Sequence, residues 1–352
     1  MFETYRMFGR DREAELEREA RVRRIAAEVR RSRHAIPGGS RTAQAVVLAV
    51  VVAIISAAVA AGLSAWPSLW SAAASVESVP GSSPELNTTF LEGCPIPSPD
   101  GRSLYLASNR PGGLGGLDIW VARRARRNAP FGAPVNLGAP VNSAADDFCP
   151  SPMARKWFLF VSTRPGGCGG ADIYVTRPVG RSGWWQPLNL GCHVNSARQE
   201  ASPYLFTHEK SGRMLIYFSS DRPGGFGLDS GVPDADIYVS SLTTVGFAPA
   251  RLVPGLNTDR IDARPNLGPD GLEIVFDSDR AGALGGQDVY SATRANVREP
   301  WSEPVNLGPA VNTSAMETRA SLSWDGNSLF FGSNRAGGEG SSDVYFSTRP
   351  AP

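Results

Sequence analysis

The run Ser278-Asp279-Arg280-Ala281-Gly282-Ala283-Leu284-Gly285-Gly286-Gln287-Asp288-Val289-Tyr290 ends an apolar stretch on an arginine, turns through glycines, and opens a second apolar stretch on Asp-Val-Tyr. The chain says nearly the same thing four more times. The arginine and its glycines recur at Arg110-Pro-Gly-Gly, Arg164-Pro-Gly-Gly, Arg222-Pro-Gly-Gly and Arg335-Ala-Gly-Gly, giving arginine spacings of 54, 58, 58 and 55 residues. The second landmark recurs at Asp118-Ile-Trp, Asp172-Ile-Tyr, Asp236-Ile-Tyr and Asp343-Val-Tyr. A fixed period of this length is the signature of a repeat architecture, and five units fill residues 85 to 352.

Within a unit the pattern alternates with period two, as in a half-buried strand. In the fourth unit Arg264 to Leu267 is a short extended piece, Pro269-Asp270-Gly271 a tight turn, and Leu272 to Ser278 a second strand. Arg280 to Gly286 is then a glycine loop, Asp288 to Ala292 a third strand and Trp301 to Leu307 a fourth. Four antiparallel strands per unit make one propeller blade, so the fold is read as all-β: a five-bladed β-propeller over residues 85–352. The 38 Gly and 28 Pro of the 352 residues thereby acquire positions, as turns between strands.

Each unit also carries an Asn five residues before an acid: Asn142 and Asp147, Asn195 and Glu200, Asn257 and Asp262, Asn312 and Glu317, with Asn87 and Glu92 ahead of the first unit. The last unit stops after its third strand. The segment 79–88, which resembles Leu252 to Thr258, is expected to supply the missing outer strand and leave no sheet edge free.

The runs Ser98-Pro99-Asp100-Gly101, Ser108-Asn109-Arg110-Pro111-Gly112-Gly113 and Leu117-Asp118-Ile119, with Pro269-Asp270-Gly271 and Ser278-Asp279-Arg280, resemble the WD-like β-propeller repeats of the TolB type. The chain departs from TolB in having five units rather than six and no α/β domain before them, so a role in the Tol system is not implied. The resemblance implies interaction with other molecules in a bacterial envelope; fold alone does not confer function.

The residues before the propeller are of a different kind. Residues 1–41 hold eleven Arg and seven acids, with acids gathered early and bases late, which suits a polar helix from Asp11 to Arg33. From Ala45 to Leu63 no charge occurs, and at about 1.5 Å per residue these nineteen residues just span a hydrocarbon layer roughly 30 Å thick. Trp66 and Trp70 follow where an interfacial aromatic belt would lie, and the positive charge sits on the amino-terminal side. The expected organisation is a cytoplasmic basic arm (1–41), one transmembrane helix (42–66), a linker (67–84) and an extracytoplasmic propeller in the cell membrane. A cleaved signal peptide ending near Ala72-Ala73-Ala74, giving a secreted protein, is the alternative.

A net charge of +1 argues against a nucleic-acid partner. The glycine loops join strand to strand and lack the helix N-terminus that cradles phosphate, so no nucleotide is expected. His34, His193 and His208 are too few and too scattered for a zinc set, and no Gly-x-Ser-x-Gly elbow occurs. Strand alternation places Glu92, Asp147, Glu200, Asp262 and Glu317 at the top of the channel, with Arg110, Arg164, Arg222, Arg280 and Arg335 further out. These ten are the candidate ligand-binding residues. Converging carboxylates could hold Ca²⁺, or a pair could cleave a glycosidic bond. Their recurrence in every unit points instead to blade-stabilising hydrogen bonds, because an active site needs blades that differ, and no unit is read as carrying an odd acid.

The third unit's insertion, Leu228 to Asp234, puts Asp229, Asp234 and Asp236 in a glycine-rich loop, a second candidate for Ca²⁺. Trp184, Trp185 and Trp301 are read as packing residues, with sugar stacking as the alternative. Cys94 and Cys149 fall at equal positions in adjacent units, and Cys168 and Cys192 both fall on top. Two bonds, Cys94 to Cys149 and Cys168 to Cys192, are one of three possible connectivities and would fit an oxidising compartment. The resulting expectation is a membrane-anchored module that binds a protein or envelope glycan without catalysis or cofactor; the alternative is a glycan-active, glycosidase-like enzyme using channel-mouth carboxylates.

Overall fold

The computed structural model describes residues 70–350, apart from 155–156, 181–182, 209–210 and 227–234. The expected basic arm, the apolar run and the insertion acids Asp229 and Asp234 lie outside the described residues. Among the described residues no helix is long and apolar enough to cross a membrane.

The described chain is a ring of five antiparallel blades. The first is Glu92–Pro97, Ser103–Ser108, Asp118–Arg123 and Val135–Asn136, from the axis outward. The second is Asp147–Pro152, Phe158–Ser162, Asp172–Thr176 and Leu188–Asn189. The third is Glu200–His208, Arg213–Ser220, Asp236–Thr243 and Arg251–Leu252, and the fourth is Asp262–Leu267, Glu273–Ser278, Asp288–Thr293 and Val305–Asn306. Glu317–Leu322, Ser328–Ser333 and Asp343–Thr348 form the fifth, whose outer strand is Ala74–Ser75, paired as Ala74 to Phe346 and Ser75 to Tyr345.

The ring therefore closes through residues 74–75, not through 79–88. The 3₁₀ turn Val76–Ser78 and a loop with Gly81 at φ 86° lengthen the path between the closing strand and Asn87. Asn87 itself keeps the role of its counterparts. It accepts from the Val344 N–H at 2.7 Å and donates to the Val344 carbonyl at 3.3 Å, as Asn142 does with both groups of Ile119 at 2.9 Å. Residues ahead of the expected start at 85 accordingly pack as part of the propeller, Trp70 and Ala74–Ser75 among them. Trp70 is not in an interfacial belt: it is 6% exposed, packs with Leu329 and Phe331, and has the Arg349 guanidinium 4.5 Å over its ring.

Between blades the core is filled by the alternate residues that face inward. Phe160, Phe218, Phe276 and Phe331, one from the second strand of each of blades two to five, are wholly buried. They stack on Tyr174, Tyr238, Tyr290 and Tyr345 of the third strands at 5.9 to 6.2 Å. Each such ring contributes about 1.5–3 kcal/mol of burial. The glycine loops exist because neighbours occupy the space of a side chain: a Cβ on Gly115, Gly285 or Gly340 would lie 2.0 Å or less from a carbonyl of the adjoining crossover.

Candidate functional site

The five ring acids do not open onto the channel. Glu92, Asp147, Glu200, Asp262 and Glu317 are completely buried, and each is answered within its own blade. Glu200 accepts from the Ser196 N–H at 2.9 Å, the Ser196 hydroxyl at 2.6 Å, the Ser220 hydroxyl at 2.8 Å and Arg222 Nη2 at 3.0 Å. Glu92 and Glu317 repeat this set through Thr88, Ser108 and Arg110, and through Thr313, Ser333 and Arg335. Asp147 pairs with Arg164 at 2.6 Å, and Asp262 with Arg280. Each arginine also donates to the carbonyl of a residue that precedes the acid, such as Val194 for Arg222 at 2.5 Å. It lies over the aromatic rings of its blade, 4.9 Å from Tyr238 in the case of Arg222. A carboxylate so enclosed cannot reach a ligand, so these ten residues are placed as ring-building ion pairs rather than as a Ca²⁺ or substrate site. The aspartates that open the third strands cap the glycine loops: Asp118 accepts from Leu114 N–H at 2.5 Å, and Asp172 from Cys168 N–H.

The blades differ at the axis. Two residues after each acid the innermost strand bulges, and the residue there takes a left-handed conformation: Cys94, Cys149, Ser202, Arg264 and Arg319, with φ between 46° and 59°. The bulge aims these five side chains at one another, and they close the channel down to a cavity of about 30 Å³. Cys94 is bonded to Cys149 across blades one and two, and Cys168 to Cys192 on the top face.

The expectation that no unit carries an odd acid is corrected here. Between the aromatic or leucine and the serine of the second strand stand Ala107, Val161, Ser219 and Gly332 in four blades, but Asp277 in the fourth. Asp277 is fully buried, takes the Arg319 N–H at 2.8 Å on one oxygen and pairs through the other with Arg264 Nη1. Burial pushes its carboxyl above the ordinary range, against the pull of Arg264. Burial, with Arg264 beside it, brings the Arg319 guanidinium down to about 10. The sequence signal is the Phe-Asp-Ser of 276–278, a departure from the recurring pattern in one blade.

A roomier recess of about 240 Å³ lies on the bottom face at the seam of the first and fifth blades. Its polar end is the ion pair of Arg127 Nη1 and Asp325 at 2.8 Å, and its apolar wall includes Phe131, Phe346 and Trp324. Trp324 is 39% exposed and stands in the turn Ser323-Trp324-Asp325-Gly326, where the first unit has Ser98-Pro99-Asp100-Gly101. Burial raises the Asp325 carboxyl, but hydrogen bonds from the Ser323 hydroxyl, the Asn327 N–H and Arg127 outweigh it and hold it below the usual range. Trp301 and Trp184 are packed, Trp301 under Arg294 at 4.0 Å and Trp184 against Phe158 at 5.1 Å, whereas Trp185 is 37% exposed with the Arg177 guanidinium 3.8 Å over its ring. His193 Nδ1 lies 2.9 Å from the Phe247 carbonyl oxygen, and His208 Nδ1 2.7 Å from the Ser211 hydroxyl. Among the described residues no three His, Cys, Asp or Glu side chains are grouped to hold a metal ion.

No family model matches the chain, and no curated protein matches it. Solved structures of the same shape do exist. A thermostable family-43 glycoside hydrolase is 11% identical with a TM-score of 0.52, covering 76% of this chain and 92% of its own. A structure titled a glycoside hydrolase is 8% identical with a TM-score of 0.52, covering 76% and 90%. The xylan β-1,4-xylosidase from Bacillus halodurans C-125 is 15% identical with a TM-score of 0.51, covering 75% of this chain and 54% of that one. At these identities the likeness is one of fold, and it shows an all-β, five-bladed propeller. The expectation of a non-catalytic binding module is corrected on this finding: the solved structures just named are glycoside hydrolases by title, and what they show for this chain is the fold.

Proposed function

We propose that the protein is a glycan-active enzyme whose sugar sits in the seam recess of the first and fifth blades. The observation that carries this reading is a five-bladed ring shaped like glycoside hydrolases and bearing, at one turn only, an exposed tryptophan beside an ion pair. An aromatic face stacks on the C–H side of a sugar ring while a few fixed polar groups read its hydroxyls. Trp324 is the platform, Arg127 the donor, and Asp325, held ionised, the acceptor. The ring acids take no part, because each is neutralised in place by its arginine. The test is release of reducing sugar from a panel of neutral and acidic polysaccharides by the full chain, with tryptophan fluorescence followed in parallel. Trp324→Ala is expected to cost about tenfold or more in binding. A panel that yields neither product nor fluorescence change would overturn the reading.

We propose further that residues 42–66 anchor the chain in a membrane with residues 1–41 in the cytoplasm and the propeller outside. The uncharged run 45–63, the one-sided arginines, two disulfides and the TolB-type motifs support an envelope setting. The N-terminal sequence of the mature protein tests this, since a start near residue 75 would mean signal cleavage instead.

A further inference from the structure

The axis of the ring carries more hydrogen-bond donors and more positive charge than its own groups can absorb. Arg264 and Arg319 both line the axial cavity, and among the described residues Asp277 is the one carboxylate bonded to either, to the Arg264 guanidinium and to the Arg319 backbone. One oxygen of Asp277 accepts from Arg264 and the other from the Arg319 backbone N–H, and among the described residues the Arg319 side chain makes no hydrogen bond to it. Arg319 Nε is buried and has no hydrogen-bond partner among the described residues, and the same is true of Gln287 Nε2. Gln287 belongs to this cluster, its Oε1 lying 3.5 Å from Arg264 Nη1. Two buried donors with no acceptor weigh against the folded state, and such groups in native proteins call for an explanation.

The sequence has cleared room for this arrangement. In the position after each ring acid stand Phe148, Ala201, Ala263 and Thr318, but in blade one Gly93, and a Cβ there would lie 3.0 Å from Arg319 Nη1. Arg319 thus reaches across to blade one and lies flat against its backbone. The adjoining cavity, lined by Arg264, Arg319, Ser202, Asn266 and Ser321, measures about 30 Å³. That is room for a species the size of one or a few water molecules. A divalent cation is excluded by two arginines, and a sugar by size.

We propose that the axial cavity is a binding site for one small monovalent anion of the halide class, held by Arg264 and Arg319, which neutralises the ring at the point where its five innermost strands meet. The anion supplies the acceptor that the buried donors lack and offsets the repulsion between the two guanidiniums, so it adds to the cohesion of blades four, five and one. This inference stands apart from the glycan reading, since it concerns the closed axis rather than the seam recess.

The experiment uses the whole protein in sodium bromide, sodium chloride or sodium gluconate at equal ionic strength, gluconate being too large to enter. Halide is expected to raise the midpoint of thermal unfolding by roughly 5 °C at a hundredfold excess over Kd. Crystals grown in bromide are expected to show an anomalous peak on the axis between the two guanidiniums. The halide dependence should vanish in Arg319→Met and persist in Asp277→Asn, which removes the competing carboxylate. If Arg319→Met does not fold, the wild-type bromide crystal decides alone. An axis without a bromide peak, or equal midpoints in halide and gluconate, overturns the proposal and assigns the cavity to water.

Discussion

Replacing Arg222 by methionine tests whether the ring acids are structural. Glu200 has no exposed surface, and Arg222 is 13% exposed. With the guanidinium gone, the carboxylate keeps the Ser196 and Ser220 donors at 2.6 to 2.9 Å but loses its countercharge in a dry site. Removing one partner of a buried pair costs about 3–5 kcal/mol. For a domain of this size, at roughly 2 °C per kcal/mol, that lowers the unfolding midpoint by about 6–10 °C. Arg222→Lys keeps a charge but not the planar group that donates from Nε to the Ser220 hydroxyl and from Nη2 to Glu200 and the Val194 carbonyl, nor the contact with Phe218 and Tyr238, so it should fall between wild type and Arg222→Met. Arg127→Ala breaks an ion pair whose side chains are 48% and 38% exposed, and should cost under about 1 kcal/mol. Circular dichroism melts of the three variants at one scan rate provide the assay. If Arg222→Met and Arg127→Ala melted alike, Glu200 would have to be solvated, and the exclusion of the ring acids from ligand binding would fall with it.

Gly340→Ala should destabilise the closed ring by several kcal/mol, because its Cβ would meet the Phe90 and Thr88 carbonyls at 1.8 and 2.4 Å. Gly132→Ala, with only one ordinary contact at 3.5 Å, serves as the control in the same denaturant titration, and equal losses would refute the packing argument. Asp100, through the Ser98 hydroxyl, and Asp325, through the bonds already described, ionise more readily folded than unfolded. The stability they add is present above the ordinary value of 3.8 and fades as pH falls below it, so the double variant Asp100→Asn, Asp325→Asn should lose stability less steeply than wild type on acidification. A midpoint-against-pH curve of unchanged acid slope would contradict this.

The blade count was readable because each landmark has one mechanical job repeated five times. Asp118 and its counterparts tie a glycine loop, Arg110 and its counterparts clamp an acid, and Asn142 and its counterparts bracket a third strand, so spacing alone revealed the unit. The same regularity says where a site is not: residues present in every blade are consumed by charge matching within it, as their recurrence implies. The distinguishing residues are single departures: Asp277 where the other blades have Ala, Val, Ser or Gly, and Trp324 where the first has Pro99. Trp324 gave no signal until the first and last blades met, since the seam joins residues from opposite ends of the chain. The closing strand lies further from Asn87 than the spacing in the other blades implies, because the 3₁₀ turn Val76–Ser78, which no repeat landmark announces, stands between them.

The clasp between the two ends of the propeller has a bearing on how the protein is made. The hydroxyls of Ser71 and Ser347 lie 3.3 Å apart although 276 residues separate them, and the fifth blade takes its outer strand from the start of the domain and its other three from the end. Contacts of such separation form late, because the whole intervening loop must be closed before they give anything back. A nascent chain can build its first four blades one by one, but the ring stays open until the final strand, Asp343–Thr348, has been synthesised. If the propeller is exported as proposed, that delay serves transport: a chain that cannot complete its ring before its last residues arrive remains a threadable substrate, and it locks only once it is across.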